Sequence, residues 1–536
     1  MDLKRGTIIF FAVASCVVVV LSVILYFTDH DDVVVQRSAD YYEMLSDDVP
    51  DSDALGAISE DFTTDIESFE SNLPLVVLEL DSELPEYKTF VGEEEIVYED
   101  VDPWTTGTIS LYENSDGYNR LTDEAAETST INIKKRGHTS INFDKAQYYI
   151  KLTDENGEEN PLDVFGMGAD DSWILNGSMA DKSMIRNYLA YRVSAQIMEY
   201  APRCTFCEMF TFENGEYVYQ GVYLMTESVK RSENRVNIDE SKKGETYTSY
   251  LVRRDRYTSF DTMLDTYARL TGANDEWIGV KYPGESKQSE ANLAYIQEDF
   301  SNIEKVLMSD NETVFKTYTR YIDSDTFADY FLINEYFGNY DAGEHSTYMY
   351  KNSGETLKIG PVWDFDQAMN NSVYDETDPN SLAMQEKAFF SNLVKDTEFV
   401  NLLKTRYAYL RENYLNDTYI FSIIEETKTY LESARQREWY RWAEDYLDEE
   451  GVVPGSYALG DYEKEGVTIS RYNDSYDQEI YNIKTYLSIH GEVIESELTS
   501  LLEDCTVTTG LKGEMVLIFI ITCCLFVVPS ILINRK

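Results

Sequence analysis

Two uncharged apolar runs, one near each end, constrain this chain more than any other feature. Thr7 to Phe27 (TIIFFAVASCVVVVLSVILYF) carries no charge, and a helix of roughly 20 residues rising about 1.5 Å per residue covers a hydrocarbon core about 30 Å thick. Met515 to Ile533 (MVLIFIITCCLFVVPSILI) is likewise uncharged, and its Pro529 is tolerable because neighbouring groups re-satisfy the freed backbone carbonyl. The first run is longer than the roughly 7–15 apolar residues of a secretory leader, and no small-x-small site follows it, so it predicts an uncleaved anchor. Lys4 and Arg5 precede the first run, and Arg535 and Lys536 follow the second. Both termini are therefore expected to be cytoplasmic, with the large domain between them extracellular and the protein in the cell membrane. The expected organisation is a tail 1–6, a transmembrane helix 7–27, an acidic linker 28–72, a globular domain 73–503, a short linker 504–514, a second transmembrane helix 515–533 and a tail 534–536.

The chain has 98 acidic against 45 basic residues, a formal net charge of -53. A nucleic-acid backbone would be repelled rather than neutralised, which excludes nucleic acid as a partner and favours polycationic partners or divalent cations. Of six cysteines, Cys16, Cys523 and Cys524 fall in the apolar runs, leaving Cys204, Cys207 and Cys505. That is too few for a disulfide framework. Cys204-Thr205-Phe206-Cys207 has no second pair or histidine nearby, so a local disulfide or two inert thiols is expected rather than zinc.

Along the chain, LPLVVLEL from Leu73, Gly107 to Tyr112, Ser129 to Lys135 and Tyr148 to Leu152 are β-branched or alternating and predict strands in a twisted antiparallel sheet. After Asp181, a plausible N-cap, Ile185, Leu189, Val193 and Ile197 recur at helical spacing. The stretch CEMFTFENGEYVYQGVYLMTE returns to strands, with the turn at Glu213 to Glu216. From Ser289 the period is mostly helical: Ile296, Phe300, Ile303 and Leu307 share a face, as do Phe327, Phe331 and Asn334. A strand pair, TYMYK and TLKIGPVW, interrupts these helices, which resume from Ala388 to the neighbourhood of Leu502. No internal repeat is visible. The expected class is α+β, sheet-rich first and helical second.

The chemistry concentrates between Asn334 and Asp366. Asp341 follows a helix in a loop, and Asp364 and Asp366 follow the strand pair, so two acidic loops are joined by a hairpin. Phosphoryl transfer uses such a layout, with one Asp accepting the hydroxyl proton and a later one holding the metal that bridges the phosphates. Asp-x-Asp pairs are ordinary in so acidic a chain, but Pro361, Val362, Trp363 and Phe365 surround Asp364 with apolar side chains, where an isolated charge is costly unless it meets a cation. The loop RGHTS, Arg136 to Ser140, offers backbone donors and an arginine suited to phosphate, although it matches neither a Walker A nor a G-x-G-x-x-G sequence.

Together, INIKKRGHTSINFDKAQYYIKL, WILNGSMADKSMIRNYLAYRV, YQGVYLMTESV, NEYFGNYD and GPVWDFDQAMNN, in this order, resemble the CotH kinase family, the spore coat protein H group. The resemblance covers roughly Leu73 to Leu502. It implies an atypical kinase-like fold and a phosphotransferase using ATP with Mg2+ or Mn2+, acting on Ser/Thr hydroxyls of a surface or coat protein. The alternative it leaves open is an adhesion or envelope-assembly module with weak or no catalysis. By position, Asp341 matches the catalytic aspartate and Asp364 the metal-binding aspartate. Asp366 joins Asp364 as a metal ligand if the backbone there is extended. Arg136, Gly137 and Ser140 would cover phosphates, with Lys145 or Lys151 contacting them and Glu227 partnering that lysine or the metal. Asp181, Arg186 and Asn187 fall in a D-x-S-x-x-R-N block expected to form a structural ion pair. Ser346 and Asp366 depart from ordinary kinases, which have Asn and Gly in those places, so the second metal ligand is open. The sequence leaves oligomeric state open as well.

Overall fold

The computed structural model describes residues 38–46, 66–91, 94–371, 378–447, 462–464, 467–469 and 476–508. Seven strands in its first part close into a barrel: β1 (Leu75–Leu80), β2 (Thr105–Tyr112), β3 (Glu127–Arg136), β4 (Gln147–Thr153), β5 (Ser172–Asn176), β6 (Cys204–Glu213) and β7 (Glu216–Glu227). Around the barrel the order is β1, β6, β7, β5, β4, β3, β2. The open, wholly antiparallel sheet expected from the strand pattern is thus corrected. β1 lies antiparallel to β2 on one side and parallel to β6 on the other, Leu75 facing Tyr112 and Glu208 respectively. Strand closure depends on pairing between residues far apart in sequence, which local alternation does not encode. Val76, Leu78, Ile131, Ile133, Ile150 and Leu152 point into the main core, while the intervening Asn132, Lys134 and Arg136 take the opposite face of β3. The β6–β7 hairpin turns on Asn214 and Gly215, both at positive φ, as a two-residue turn requires.

A second sheet of five strands, β8 (Tyr250–Asp255), β9 (Thr262–Leu264), β10 (Trp277–Tyr282), β11 (Thr347–Lys351) and β12 (Lys358–Ile359), runs in the order β9, β10, β8, β11, β12. The sequence pattern reveals only its last two strands.

The longer helices among the described residues are α1 (Ala39–Ser46), α2 (Arg186–Ser194), α3 (Glu290–Leu307), α4 (Ser324–Phe337), α5 (Thr397–Asn413), α6 (Asp417–Tyr430), α7 (Glu432–Leu447) and α8 (Tyr476–Asp504). Helix α3 starts at Ser289 with a capping box formed with Asn292. Helix α2 begins later than expected, because Asp181 sits outside it and accepts the Arg186 N–H at 2.9 Å rather than serving as N-cap. Within the segment expected to be linker, α1 buries Tyr41 and Tyr42. The Tyr42 hydroxyl donates to Pro202 O at 2.7 Å and accepts the Cys204 N–H at 3.1 Å.

The fold class stated from sequence needs a further correction. Among the described residues no helix is long and apolar enough to cross a membrane, so a fold flanked by two transmembrane helices, and the cell-membrane location built on it, are not carried further. The two apolar runs themselves lie outside the described residues.

Helix α7 docks on the barrel through buried charge. Arg437 makes a two-pronged pair with Glu208 of β6. At the irregularity between Met209 and Phe210, Gly221 has φ +102 and no room for a Cβ, which would lie 2.2 Å from Glu438 Oε2. Glu438 accepts the freed Val222 N–H at 2.7 Å, and Lys145 donates to Val222 O at 2.7 Å while pairing with Glu438. A bulge that strips two ladder bonds is thereby satisfied from a helix. Cys204 and Cys207 are free buried thiols on this same strand, pushed up by burial, which matches the inert-thiol alternative.

Beneath the end of α4, His490 of α8 is fully buried. Its Nδ1 lies 2.9 Å from Pro379 O, and its Nε2 lies 2.8 Å from Glu335 O and 3.1 Å from Glu335 Oε1. With acceptors facing both nitrogens, the imidazolium is the form that satisfies them. Burial opposes that charge, but the Glu335 hydrogen bond and charge outweigh it, so the pKa is raised above 6.5. The stabilisation is complete below the unfolded value and is lost as pH rises through the folded one. A urea denaturation series from about pH 6 to about pH 9 is expected to show wild type losing stability relative to His490→Gln as pH rises.

Candidate active site

Helix α4 ends at Gly338, whose φ of +60 makes a left-handed cap. The turn that follows presents Asp341, whose backbone carbonyl accepts the N–H groups of Glu344 and His345 at 3.2 and 2.8 Å. Its half-buried carboxylate makes no side-chain hydrogen bond among the described residues.

Asp364 and Asp366 stand in the turn after β12. The extended backbone expected there is absent: Asp364 has φ +68, in the left-handed region that costs a non-glycine residue energy. Helix α2 holds this turn. Asn187 Oδ1 accepts the Phe365 N–H at 2.7 Å, and the Tyr191 hydroxyl accepts the Asp364 N–H at 3.2 Å. The Tyr191 ring also stacks on Trp363 with centroids 5.7 Å apart. Ser346, itself at φ +48, donates to Asp364 Oδ2 at 3.2 Å, so the residue that departs from the kinase Asn touches the carboxylate directly.

The D-x-S-x-x-R-N block forms the expected ion pair and extends it. The Arg186 guanidinium pairs with Asp181, donates from Nε to Ala368 O at 3.1 Å just beyond the Asp366 turn, and reaches Glu479 of α8 at 3.0 Å.

The electrostatics converge on the same place. Burial raises the Asp364 carboxyl and the neighbouring charge of Asp341 raises it further, with Arg136 and Ser346 opposing. Asp366 is raised well above 3.8, first by burial and then by Asp364, Asp181 and Asp341, with Arg136 again opposing. Arg136, at the end of β3, donates to Gln147 Oε1 at 2.8 Å and lies 5.9 Å from the Trp363 ring. Gly137 follows at φ +123, where a Cβ would meet Ser140 Oγ at 2.0 Å, so the loop folds back on the short turn Thr139–Asn142 that carries Ser140.

The structure therefore brings Asp341, Asp364, Asp366 and Arg136 together, with Gly137 and Ser140 in the adjoining loop. Three other residues singled out from sequence are engaged elsewhere. Lys145 is buried against Glu438. Glu227 lies in a buried network with Arg203, Arg235 and Tyr200, at 3.4, 3.5 and 3.2 Å. Lys151 is exposed on the outer face of β4, 5.5 Å from the Trp104 ring. Sequence reasoning missed Tyr191, which shares the exposed-to-turn face of α2 with Asn187 one turn earlier. The i, i+4 spacing of two hydrogen-bonding side chains was the available signal.

The carboxylates of Asp341, Asp364 and Asp366 and the Ser346 hydroxyl are hard oxygen donors of the kind that suits Mg2+ or Mn2+. Among the described residues no group of three or more His, Cys, Asp or Glu could hold a metal ion unaided. Magnesium is characteristically held by one or two carboxylates, with waters and substrate phosphates completing the shell. Three carboxylates beside Arg136 fit a divalent cation held in that manner.

A sequence model of the CotH kinase protein family matches residues 133–489, more than half of the chain and all of the carboxylate site. The chain belongs to the CotH kinase family, and is a kinase-like protein. No curated protein matches it.

Because Asp366 is raised by burial and by like charges, its ionisation destabilises the metal-free fold as pH rises above the ordinary carboxylate value. Asp366→Asn is expected to raise the melting temperature of metal-free protein, more at about pH 8 than at about pH 5, and to respond less than wild type to millimolar Mg2+ or Mn2+ if Asp366 is a ligand. Differential scanning calorimetry with and without chelator measures both.

Proposed function

We propose that this protein is a phosphotransferase that moves the terminal phosphoryl group of ATP to a Ser or Thr hydroxyl of a protein, with a divalent metal. The observation that carries this reading is the set of Asp341, Asp364 and Asp366 brought together beside Arg136, inside a chain of the CotH kinase family. Asp341, half-buried and with no hydrogen bond on its carboxylate among the described residues, is available to accept the acceptor's hydroxyl proton and orient its oxygen. Asp364, held by Ser346 at its carboxylate, by Tyr191 at its N–H and by Asn187 at the next N–H, that of Phe365, would hold the metal, with Asp366 beside it. The metal supplies charge neutralisation across the phosphates when bound. Arg136 has a forked donor set for the transferred group's oxygens, and the Gly137 to Ser140 loop would cover the phosphates.

The site is built for orientation. A helix on one side and a hydroxyl on the other fix a turn in which Asp364 would not rest by itself, which is how a site lowers the reorganisation needed at the moment of reaction. Phosphate transfer from labelled ATP to a mixture of acceptor proteins, with Mg2+ or Mn2+, tests the reading. Asp341→Ala is expected to lower the transfer rate by about 100-fold or more, and Asp364→Ala to abolish its metal dependence, both with unchanged circular dichroism. Full activity in both variants would refute the assignment. Absence of transfer by wild type with every metal and acceptor would favour an assembly module on the same fold.

A further inference from the structure

The turn that carries Asp341 is tied to the second sheet. The register places Arg254 of β8 opposite Thr347 of β11, and both are buried. The Thr347 hydroxyl accepts the Gly343 N–H at 2.8 Å and donates its one proton to His345 O at 2.9 Å, which leaves a lone pair for the Tyr330 hydroxyl of α4, 3.1 Å away. Arg254 Nη1 donates to Gly343 O at 3.2 Å. Gly343 thus has both its N–H and its C=O fixed by one rung of a sheet. Its φ is +90, and a Cβ there would lie 2.8 Å from Lys387 Cβ, so the position calls for glycine. The next residues are tied as well: the Glu344 carboxylate accepts the Ala388 N–H at 2.9 Å and the Asn274 side-chain amide at 3.0 Å, and His345 Nδ1 lies 3.5 Å from Glu276 Oε2.

Arg254 is an unusual choice for so buried a place. Its guanidinium lies 4.3 Å from the Phe389 ring, and its Nη2 has no hydrogen-bond partner among the described residues, Glu304 Oε1 of α3 being 3.9 Å away. Glu304 is engaged elsewhere, accepting the Ala268 N–H at 2.9 Å and the Thr266 hydroxyl at 3.0 Å. Burial pushes the guanidinium down, with Glu304, Glu344 and Glu276 opposing. A buried donor without an acceptor is uncommon in a native fold, and the one hydrogen bond this side chain does make goes to the Asp341 turn. Asp341 has use for it. Its carboxylate makes no side-chain hydrogen bond among the described residues, so the backbone of its turn alone aims it. Asp364, by contrast, is held by Ser346 and from α2.

We propose that Arg254 and Thr347 are the positioning residues for Asp341, fixing the two peptide groups of Gly343 and so aiming the carboxylate two residues earlier. The catalytic consequence rests on the phosphotransferase reading; the anchoring of the turn does not. The second sheet then orients the group that meets the acceptor hydroxyl, while α2 orients the group that would meet the metal.

The test uses the full chain and two independent variants, each read by hydrogen exchange and by kinetics. In Arg254→Lys a single ammonium cannot reproduce the reach of the guanidinium fork. Thr347→Val keeps the shape and removes the hydroxyl, and Thr347→Ser restores it, so this pair decides the matter even where Arg254→Lys does not fold. Mass spectrometry is expected to show amides of residues 341–346 exchanging about tenfold faster or more in Arg254→Lys and Thr347→Val, and at the wild-type rate in Thr347→Ser, with the Phe365 region unchanged. In phosphoryl transfer from labelled ATP, kcat is expected to fall by about tenfold or more in the first two variants, with KM for ATP within about twofold of wild type and Thr347→Ser recovering the rate. Unchanged exchange in the turn, acceleration spread evenly over the second sheet, or a loosened turn with full kcat would overturn the proposal. Absence of transfer by wild type would sink the phosphotransferase reading instead, and the exchange pattern would then decide the anchoring by itself.

Discussion

The Arg186 guanidinium is the contact on which the candidate site most depends. It is buried, and its partners come from three parts of the chain: Asp181 before α2, the Ala368 carbonyl after the Asp366 turn, and Glu479 on α8. A buried charge with this many partners is costly to strand, because removing any one leaves the others desolvated and unpaired. Arginine suits the position because its planar fork can address several acceptors at once, which a lysine ammonium cannot do with the same geometry. Once Arg186 is fixed, α2 is fixed, and Asn187 and Tyr191 on it hold the backbone of the Asp364 turn. The geometry of the carboxylates is thus referred to a helix that bears none of them.

The rest of the molecule treats charge in two ways. On the α7 side of the barrel it is neutralised within the fold: Lys145 and Glu438 pair and bond the Val222 backbone at a bulge, and Arg437 and Glu208 pair and bond the Ser71 and Tyr219 hydroxyls. At the carboxylates like charges stand together: beyond the effect of burial, Asp341 raises Asp364, and Asp364 and Asp341 raise Asp366, with Arg136 opposing. Closed pairs set structure, whereas a cluster of like charges with shifted titration marks a candidate site. That distinction separates Lys145 and Glu227 from Arg136, although all three looked equally eligible as charged residues among strands.

The motif reading of the chain was most informative where chemistry is local. Asp341, Asp364, Asp366 and Arg136 were singled out from their loops and do converge, because each follows directly on a strand or helix end whose position the pattern reveals. The reading of Lys145 and Glu227 had no such support. Whether a lysine in a strand-rich segment faces a cleft or a docking helix depends on a bulge and on α7, which lies almost three hundred residues further along the chain. The second sheet went largely unseen for a related reason: β8, β9 and β10 are short, and become strands by pairing in series, β9 on β10, β10 on β8 and β8 on β11, rather than by their own alternation.

By itself the sequence determined the family, through five motif blocks in order, the helix–turn–strand pair that carries the carboxylates, and the ion pair of Asp181 with Arg186. These rest on neighbours in sequence, or on spacings that a single helix or hairpin preserves. The tertiary structure alone decided that the first part closes into a barrel with one parallel pair, that Asp364 sits in a left-handed turn held by Asn187 and Tyr191, and that Lys145 and Glu227 are engaged in buried networks away from that turn. Each of these depends on contacts between segments hundreds of residues apart, and on the desolvation those contacts impose, a quantity that no local pattern of residues carries.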